Sequence, residues 1–156
     1  MKVLVFHIGA DRYALPLAAV ARVLPAAALK ALPLAPHWVA GLLDLHGAPV
    51  PVIDVSRLAG LNAQQVWVDT RIVLVDYALP DGATRPLGML AEHVTGIDSI
   101  DAASLRDPGV SSAPFLGKVA SGSAGMLQLI ALEHLLGAEV RALLFAPAAV
   151  ATESTP

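Results

Sequence analysis

The chain has 156 residues, a formal net charge of −3 and no cysteine, with 56% hydrophobic and 15% charged residues. That length suits one domain or two small barrels sharing a core; the missing cysteines exclude a disulfide framework and thiolate chemistry, and ten Lys and Arg residues scattered singly give no basic patch for nucleic acid. No uncharged stretch reaches the ~18 apolar residues of a membrane helix, and the apolar start before Asp11 is too short for a signal-peptide core, so a cytoplasmic protein with no direct membrane insertion is expected.

Lys2 to Ile8 is a short apolar run closed by Gly9-Ala10-Asp11, and Tyr13, Leu15 and Leu17 then alternate, which predicts a β-hairpin. Leu17, Val20, Ala21 and Leu24 repeat at helical spacing up to Pro25 and predict a short helix or irregular crossover. Leu29 to Pro36 reads as an extended loop leading to His37-Trp38. Trp38 is either core or an interface anchor, because tryptophan serves both purposes.

Val39 to Leu58 reads as strand, tight turn, strand and the first turn of a short helix, with Asp54 at the N-cap. Pro49 and Pro51 donate no backbone N–H, so one edge of the second strand is expected to face away from a ladder partner and to be open to protein contact. Gly60 to Asp69 is a polar connection, with Trp67 placed to cap the second barrel. Thr70 to Ala78, with Ile72, Val73, Leu74 and Val75 in a row, predicts a strand buried on both faces.

Pro80-Asp81-Gly82 predicts a turn, so that Arg85 to Ala91 pairs back; Val94 to Ile100 is expected to be a further strand with a bulge at Gly96. After a surface loop at Asp101 to Pro114, Phe115 to Ala120 and Met126 to Ile130 form another predicted hairpin. Ala131 to Leu136 predicts a last helix ended by Gly137 at C′, and beyond Arg141 a docked turn and a frayed tail are expected. Many short strands with little helix predict an all-β fold of small barrels.

The chemistry-bearing side chains are dispersed. His7, His37, His46, His93 and His134 lie far apart with no His-Glu-x-x-His, so neither a metal nor another cofactor is expected. Ser121-Gly122-Ser123 lacks a nucleophile-elbow frame, and Gly117-Lys118 lacks the preceding glycine of a phosphate loop. One enzymatic or small-ligand alternative stays open, a hydrolytic or binding site on a β-barrel that uses Asp44, His46 and Asp54.

The order of these signals resembles the CheW family, the coupling proteins of bacterial chemosensory arrays. The likeness covers about residues 2 to 137: Phe6-His7-Ile8-Gly9, Tyr13-Ala14-Leu15-Pro16, Val20-Ala21-Arg22-Val23 and Pro33-Leu34-Ala35-Pro36 come first. Val39 to Gly47, Val50 to Val55, Leu87-Gly88-Met89-Leu90 with Val94, Phe115-Leu116-Gly117 and Leu127 to Ile130 follow.

The resemblance implies two intertwined five-stranded SH3-like β-barrel subdomains with short helices, in a CheW-like domain at residues 1–140 divided near 78–85, with a turn and tail at 141–156. It implies a non-enzymatic scaffold, recruited to membrane-bound receptor arrays, that couples the signalling domain of a methyl-accepting chemoreceptor to the regulatory domain of a CheA-type histidine kinase. Carried over, the receptor-contacting residues are Val20, Arg22, Val39, Gly41, Leu43, His46 and Gly47, and the kinase-contacting ones Leu87, Gly88, Val94 and Leu116.

The chain departs from the family pattern at one pair. Asp44-Leu45-His46-Gly47 stands where the family usually has Asn-Leu-Arg-Gly, and Arg22 where it usually has a glutamate; the family's ion pair between that glutamate and arginine cannot form. Asp44 is expected to take over the acidic role by pairing with Arg22 or His46. Thr70 to Tyr77 and the proline-rich first half look closer to coupling proteins of alternative pathways, the surface-sensing Wsp type that feeds a diguanylate cyclase in particular.

Overall fold

The computed structural model describes residues 1–61, 66–122 and 124–145. The strands are β1 (Lys2–Ile8), β2 (Asp11–Pro16), β3 (Val20–Pro25), β4 (Val39–Leu45), β5 (Ala48–Asp54), β6 (Arg71–Ala78), β7 (Thr84–Ser99), β8 (Leu116–Gly122) and β9 (Gly125–Ile130). The helices α1 (Val55–Leu58) and α2 (Ala138–Leu144) are short. The architecture is therefore all-β with small helical pieces, as the alternation of short strands and turns predicts.

The strands fall into two groups of five that share β7. In the first barrel the second half of β7 pairs with β1, β1 with β2, β2 with β9 in parallel and β9 with β8. In the second, β4 pairs with β5, β5 with the first half of β7 in parallel, β7 with β6 and β6 with β3. The barrels are intertwined because β1 and β2, from the start of the chain, complete the barrel made by its end. A division near 78–85 falls on the turn between β6 and β7, two strands of one barrel; the passage to the other comes within β7, after Ala91.

Shared cores explain the uninterrupted apolar rows. Along β1, Leu4, Phe6 and Ile8 enter the large cluster between the barrels, while Val3 and Val5 enter a small one inside the first barrel. Along β6, Val73, Val75 and Tyr77 join the same large cluster, and Ile72 and Leu74 fill the second barrel with Leu43, Val50 and Val52. Side chains alternate across a strand, so a strand walled by apolar layers on both sides has no polar position to spare.

Three sequence expectations are corrected. Only Leu17–Ala19 is helical, a 3-10 turn, and Val20–Pro25 is an edge strand on β6 rather than a helix. The two strands expected at 85–91 and 94–100 are one strand of 16 residues; the ladder slips between Val5/Gly96 and His7/Glu92, so the irregularity lies at 93–95, with His93 at φ 51° and Gly96 at φ 130°. Gly137 does not close a helix: Leu132–His134 is a 3-10 turn and Gly137 is the N-cap of α2. That helix runs across the 140/141 boundary to Phe145, whose buried ring stacks on Tyr77 with centroids 5.9 Å apart. The expected tail from residue 146 on lies outside the described residues.

Candidate functional site

All seven residues proposed for the receptor lie on the second barrel, on its two edge strands and the turn after β4. Val20 and Arg22 are on β3; Val39, Gly41 and Leu43 are on β4; His46 and Gly47 form the β4–β5 turn. The edges converge over one apolar cluster, where Leu24 of β3 and Leu45 of β4 pack around Leu43. Leu43 and Val39 are themselves buried. The exposed surface of the group comes from Arg22, His46 and Gly47, with Val20 half-buried.

Gly41 is required by a close backbone approach. Lys30 and Leu42 exchange two backbone hydrogen bonds, at 2.9 and 2.8 Å, which close the barrel where β3 has ended. Gly41 has φ 142°, and a Cβ there would sit on the Lys30 carbonyl oxygen. The sequence marks Gly41 as a glycine in a strand but does not reveal Lys30 as its neighbour.

Asp44 does not form the expected pair with Arg22 or His46. Its Oδ1 accepts the backbone N–H of Gly47 at 2.7 Å, an Asx-type bond that closes the turn while His46 (φ 52°) and Gly47 (φ 89°) take left-handed conformations. Asp44 is exposed, and among the described residues it has no ion-pair partner.

The prolines leave one edge of β5 without a second ladder partner, as expected, but only Pro49 is exposed there; Pro51 is buried. Val52–Asp54 of β5 has β4 on one side and β7 on the other, but Ala48–Pro51 pairs with β4 alone. Pro49 and Pro51 thus lie where no second ladder runs. Beside them a cavity of about 330 Å³ is lined by Lys30, Leu42, Leu43, Asp44, Gly47 and Pro49.

The four residues proposed for the kinase separate. Leu87 is fully buried in the large cluster, and a Cβ on Gly88 would meet Val52 Cγ2 at 2.8 Å. Both are packing residues with no side-chain surface to offer. Val94 and Leu116 are half-buried, on β7 and β8 of the first barrel, and rest against the same cluster.

The hydrolytic alternative does not assemble. Asp44 and His46 sit at the turn end of the β4–β5 hairpin, whereas Asp54 is at the far end of β5, where it caps α1 by accepting the Arg57 N–H at 3.2 Å. Five residues of strand separate Pro49, opposite Asp44, from Asp54, roughly 17 Å. Burial is the largest influence on the Asp54 carboxyl and raises its pKa, opposed by the Arg57 N–H bond and guanidinium charge and by the Ser56 N–H, and reinforced by Glu92. Among the described residues no three His, Asp or Glu side chains are grouped to hold a metal.

A polar cluster not foreseen from sequence lies at the seam of the barrels. Glu92 accepts from Ser56 Oγ at 2.9 Å and from Trp67 Nε1 at 3.0 Å. The next residue, His93, places Nδ1 at 3.1 Å from Asp69 Oδ2 and stacks obliquely on the Trp67 ring. Trp67 therefore pins its loop to β7. Trp38 packs half-buried against the large cluster.

Residues 2–140 match the family described as the CheW-like domain. The fold is similar to that of the scaffolding protein TtCheW from Thermoanaerobacter tengcongensis, a crystal structure, with TM-score 0.77, 26% identity and 87% of each chain covered. No curated protein matches the chain.

Proposed function

The chain belongs to the CheW-like family, and from that premise we propose that it joins a methyl-accepting chemoreceptor to a CheA-type histidine kinase, holding one partner on each barrel. Members of the family are non-enzymatic chemosensory scaffolds, and the similar solved protein is a scaffolding protein. The observation that carries the two-partner reading is the separation of the candidate faces. Arg22, His46 and Gly47 offer their surface on the second barrel, and Val94 and Leu116 theirs on the first.

Coupling of this kind needs only a differential affinity for two states of the receptor, so moderate binding energies suffice. The exposed Arg22, in place of the family's usual glutamate, favours a receptor tip whose contacting residue is acidic. The likeness of Thr70 to Tyr77 to coupling proteins of surface-sensing pathways supports a receptor and kinase of that type, recruited together to a membrane-bound array.

The test is a three-component pull-down with the signalling domain of a receptor and the regulatory domain of a kinase from the same source. Each partner is expected to be retained alone, and both together in one complex. Failure with every such pair, using folded protein, would overturn the proposal.

A further inference from the structure

We propose that the crossing of β7 from one barrel to the other is closed by a charge-sensitive latch, which grips more firmly when the His93 imidazole is protonated. The latch spans the irregularity at 93–95, where the ladder to β1 slips. Backbone groups at the slip are taken up from both barrels. The Val94 N–H donates to the Asp69 carbonyl at 3.0 Å, from the loop that leads into β6, and the His93 carbonyl faces His7 Nδ1 of β1 at 3.4 Å.

The strap of this latch is Trp67 to Thr70. It is folded on itself by the Trp67 N–H on Thr70 Oγ1 at 2.9 Å and the Thr70 N–H on the Trp67 carbonyl at 3.1 Å. Two of its side chains engage His93: the Trp67 ring lies 5.4 Å from the imidazole, centre to centre, and the Asp69 oxygens stand 3.0 and 3.1 Å from Nδ1. A carboxylate only accepts, so Nδ1 carries a proton and Nε2 is the nitrogen that gains or loses one. Asp69 Oδ1 is buried and accepts no hydrogen bond among the described residues. The neutral ring has one N–H to give and leaves this oxygen unmet; a charged ring attracts both oxygens without a second donor, and the indole face favours a cation beside it. His93 also holds φ 51°, a conformation uncommon outside glycine that its surroundings must fix.

The charges facing the ring from neighbouring elements decide the sign. Glu92, next to it on β7, adds a second carboxylate, whose oxygens are held by Ser56 of α1 and by Trp67. Against it stand His7, with ring centres 5.7 Å apart, and beyond His7 its β2 partner Arg12, which Asp98 holds at 3.3 Å. Arg71 of β6 points its guanidinium to the Val68 and Thr70 carbonyls. At equal screening, repulsion across 5.7 Å is roughly half the attraction across 3.0 Å, so charging His93 tightens the strap. Histidine changes charge between about pH 5 and 8; the added grip is present at the acid end and is lost as pH rises. With the two side chains 39% and 36% exposed, the effect is moderate. Resting on the reading above, a receptor and a kinase on the two barrels are held at a tighter angle in acid than in alkali.

The test is hydrogen exchange of the intact free chain by NMR, corrected for intrinsic rates, at about pH 5 and about pH 8. The Val94 amide and the Trp67 indole N–H are expected to be about threefold to fivefold better protected at the acid end. Asp69→Asn keeps an acceptor without the charge, and His93→Asn suits the left-handed backbone and keeps an N–H donor that does not titrate; each is expected to remove the difference. Equal protection at both ends in the wild type overturns the proposal, and so does a difference that persists in either variant. Both variants keep His7 and also Asp54, whose carboxyl burial raises, so their response separates His93 from those groups. Only the free chain is measured, so failure of the receptor and kinase reading leaves this result standing.

Discussion

The indole Nε1 of Trp67 donates to Glu92 Oε2 at 3.0 Å, at the point where β7 leaves one barrel and enters the other. Ser56, itself almost fully buried, holds the other carboxylate oxygen from α1. Glu92 therefore ties a loop, a helix and the shared strand together. Trp67→Phe should cost about 1 kcal/mol, since the ring contact survives and a partly exposed hydrogen bond is lost. Glu92→Ala should cost about 2 kcal/mol, because it also orphans the Ser56 hydroxyl. Urea denaturation of both variants checks the order.

Gly41→Ala is expected to open the barrel locally. The added methyl collides with the Lys30 carbonyl, so the paired bonds between Lys30 and Leu42 are strained or lost. A cost of about 2 kcal/mol or more is expected, together with faster amide exchange at Lys30 and Leu42. Unchanged exchange at both amides would refute the packing explanation for this glycine.

Two substitutions on β7 separate packing from contact. Leu87→Ala removes a fully buried side chain and should cost about 2–5 kcal/mol, with kinase-domain affinity of the folded fraction unchanged. Val94→Asp alters a half-buried position on the proposed kinase face; it should lower that affinity at least about tenfold, or 1.4 kcal/mol, while the fold persists. Titration calorimetry on protein confirmed as folded distinguishes them.

Asp54 gives the molecule a pH dependence of definite sign. Its carboxyl is raised above its ordinary value chiefly by burial, so the unfolded chain gives up this proton first. The contribution to stability is full below the ordinary aspartate range and is lost as pH rises through the raised folded value. Asp54→Asn keeps a good N-cap and should flatten that component. It should equal or exceed the wild type in urea midpoint near neutral pH, after allowing a few tenths of a kcal/mol for the half-exposed Arg57 partner. Asp54→Ala, with no cap, should lose about 1 kcal/mol at low pH, where the wild-type contribution is full, and less as pH rises through the raised folded value.

The parts of the fold written locally were legible. Ile72 to Val75 announced a strand between two cores, and Asp54 announced its helix, because a buried row and a cap need no distant partner to be recognised. The errors lay where a distant partner decided the outcome. Leu17, Val20, Ala21 and Leu24 carry a helical period, but β6 offers an open edge that Val20–Pro25 takes up as strand. Gly137 suits either end of a helix, and the docking of Phe145 on Tyr77 belongs with the helix that begins there. Within the candidate site, turn chemistry around His46-Gly47 was visible. The approach of Lys30 to Gly41 and the clamp on Glu92 join residues far apart in sequence, and nothing in either segment names the other.

The single strand β7 has a mechanical consequence. Its 16 residues span both barrels, laced to β6 and β5 at one end and to β1 at the other, with the irregularity at 93–95 between them. Turning one barrel far against the other would tear ladder hydrogen bonds from one half of this strand or the other, because only residues 93–95 lie between them. The two barrels are thus tethered through one shared strand and not through a loop, so partners fastened to the two ends would be held at a limited range of distances and angles.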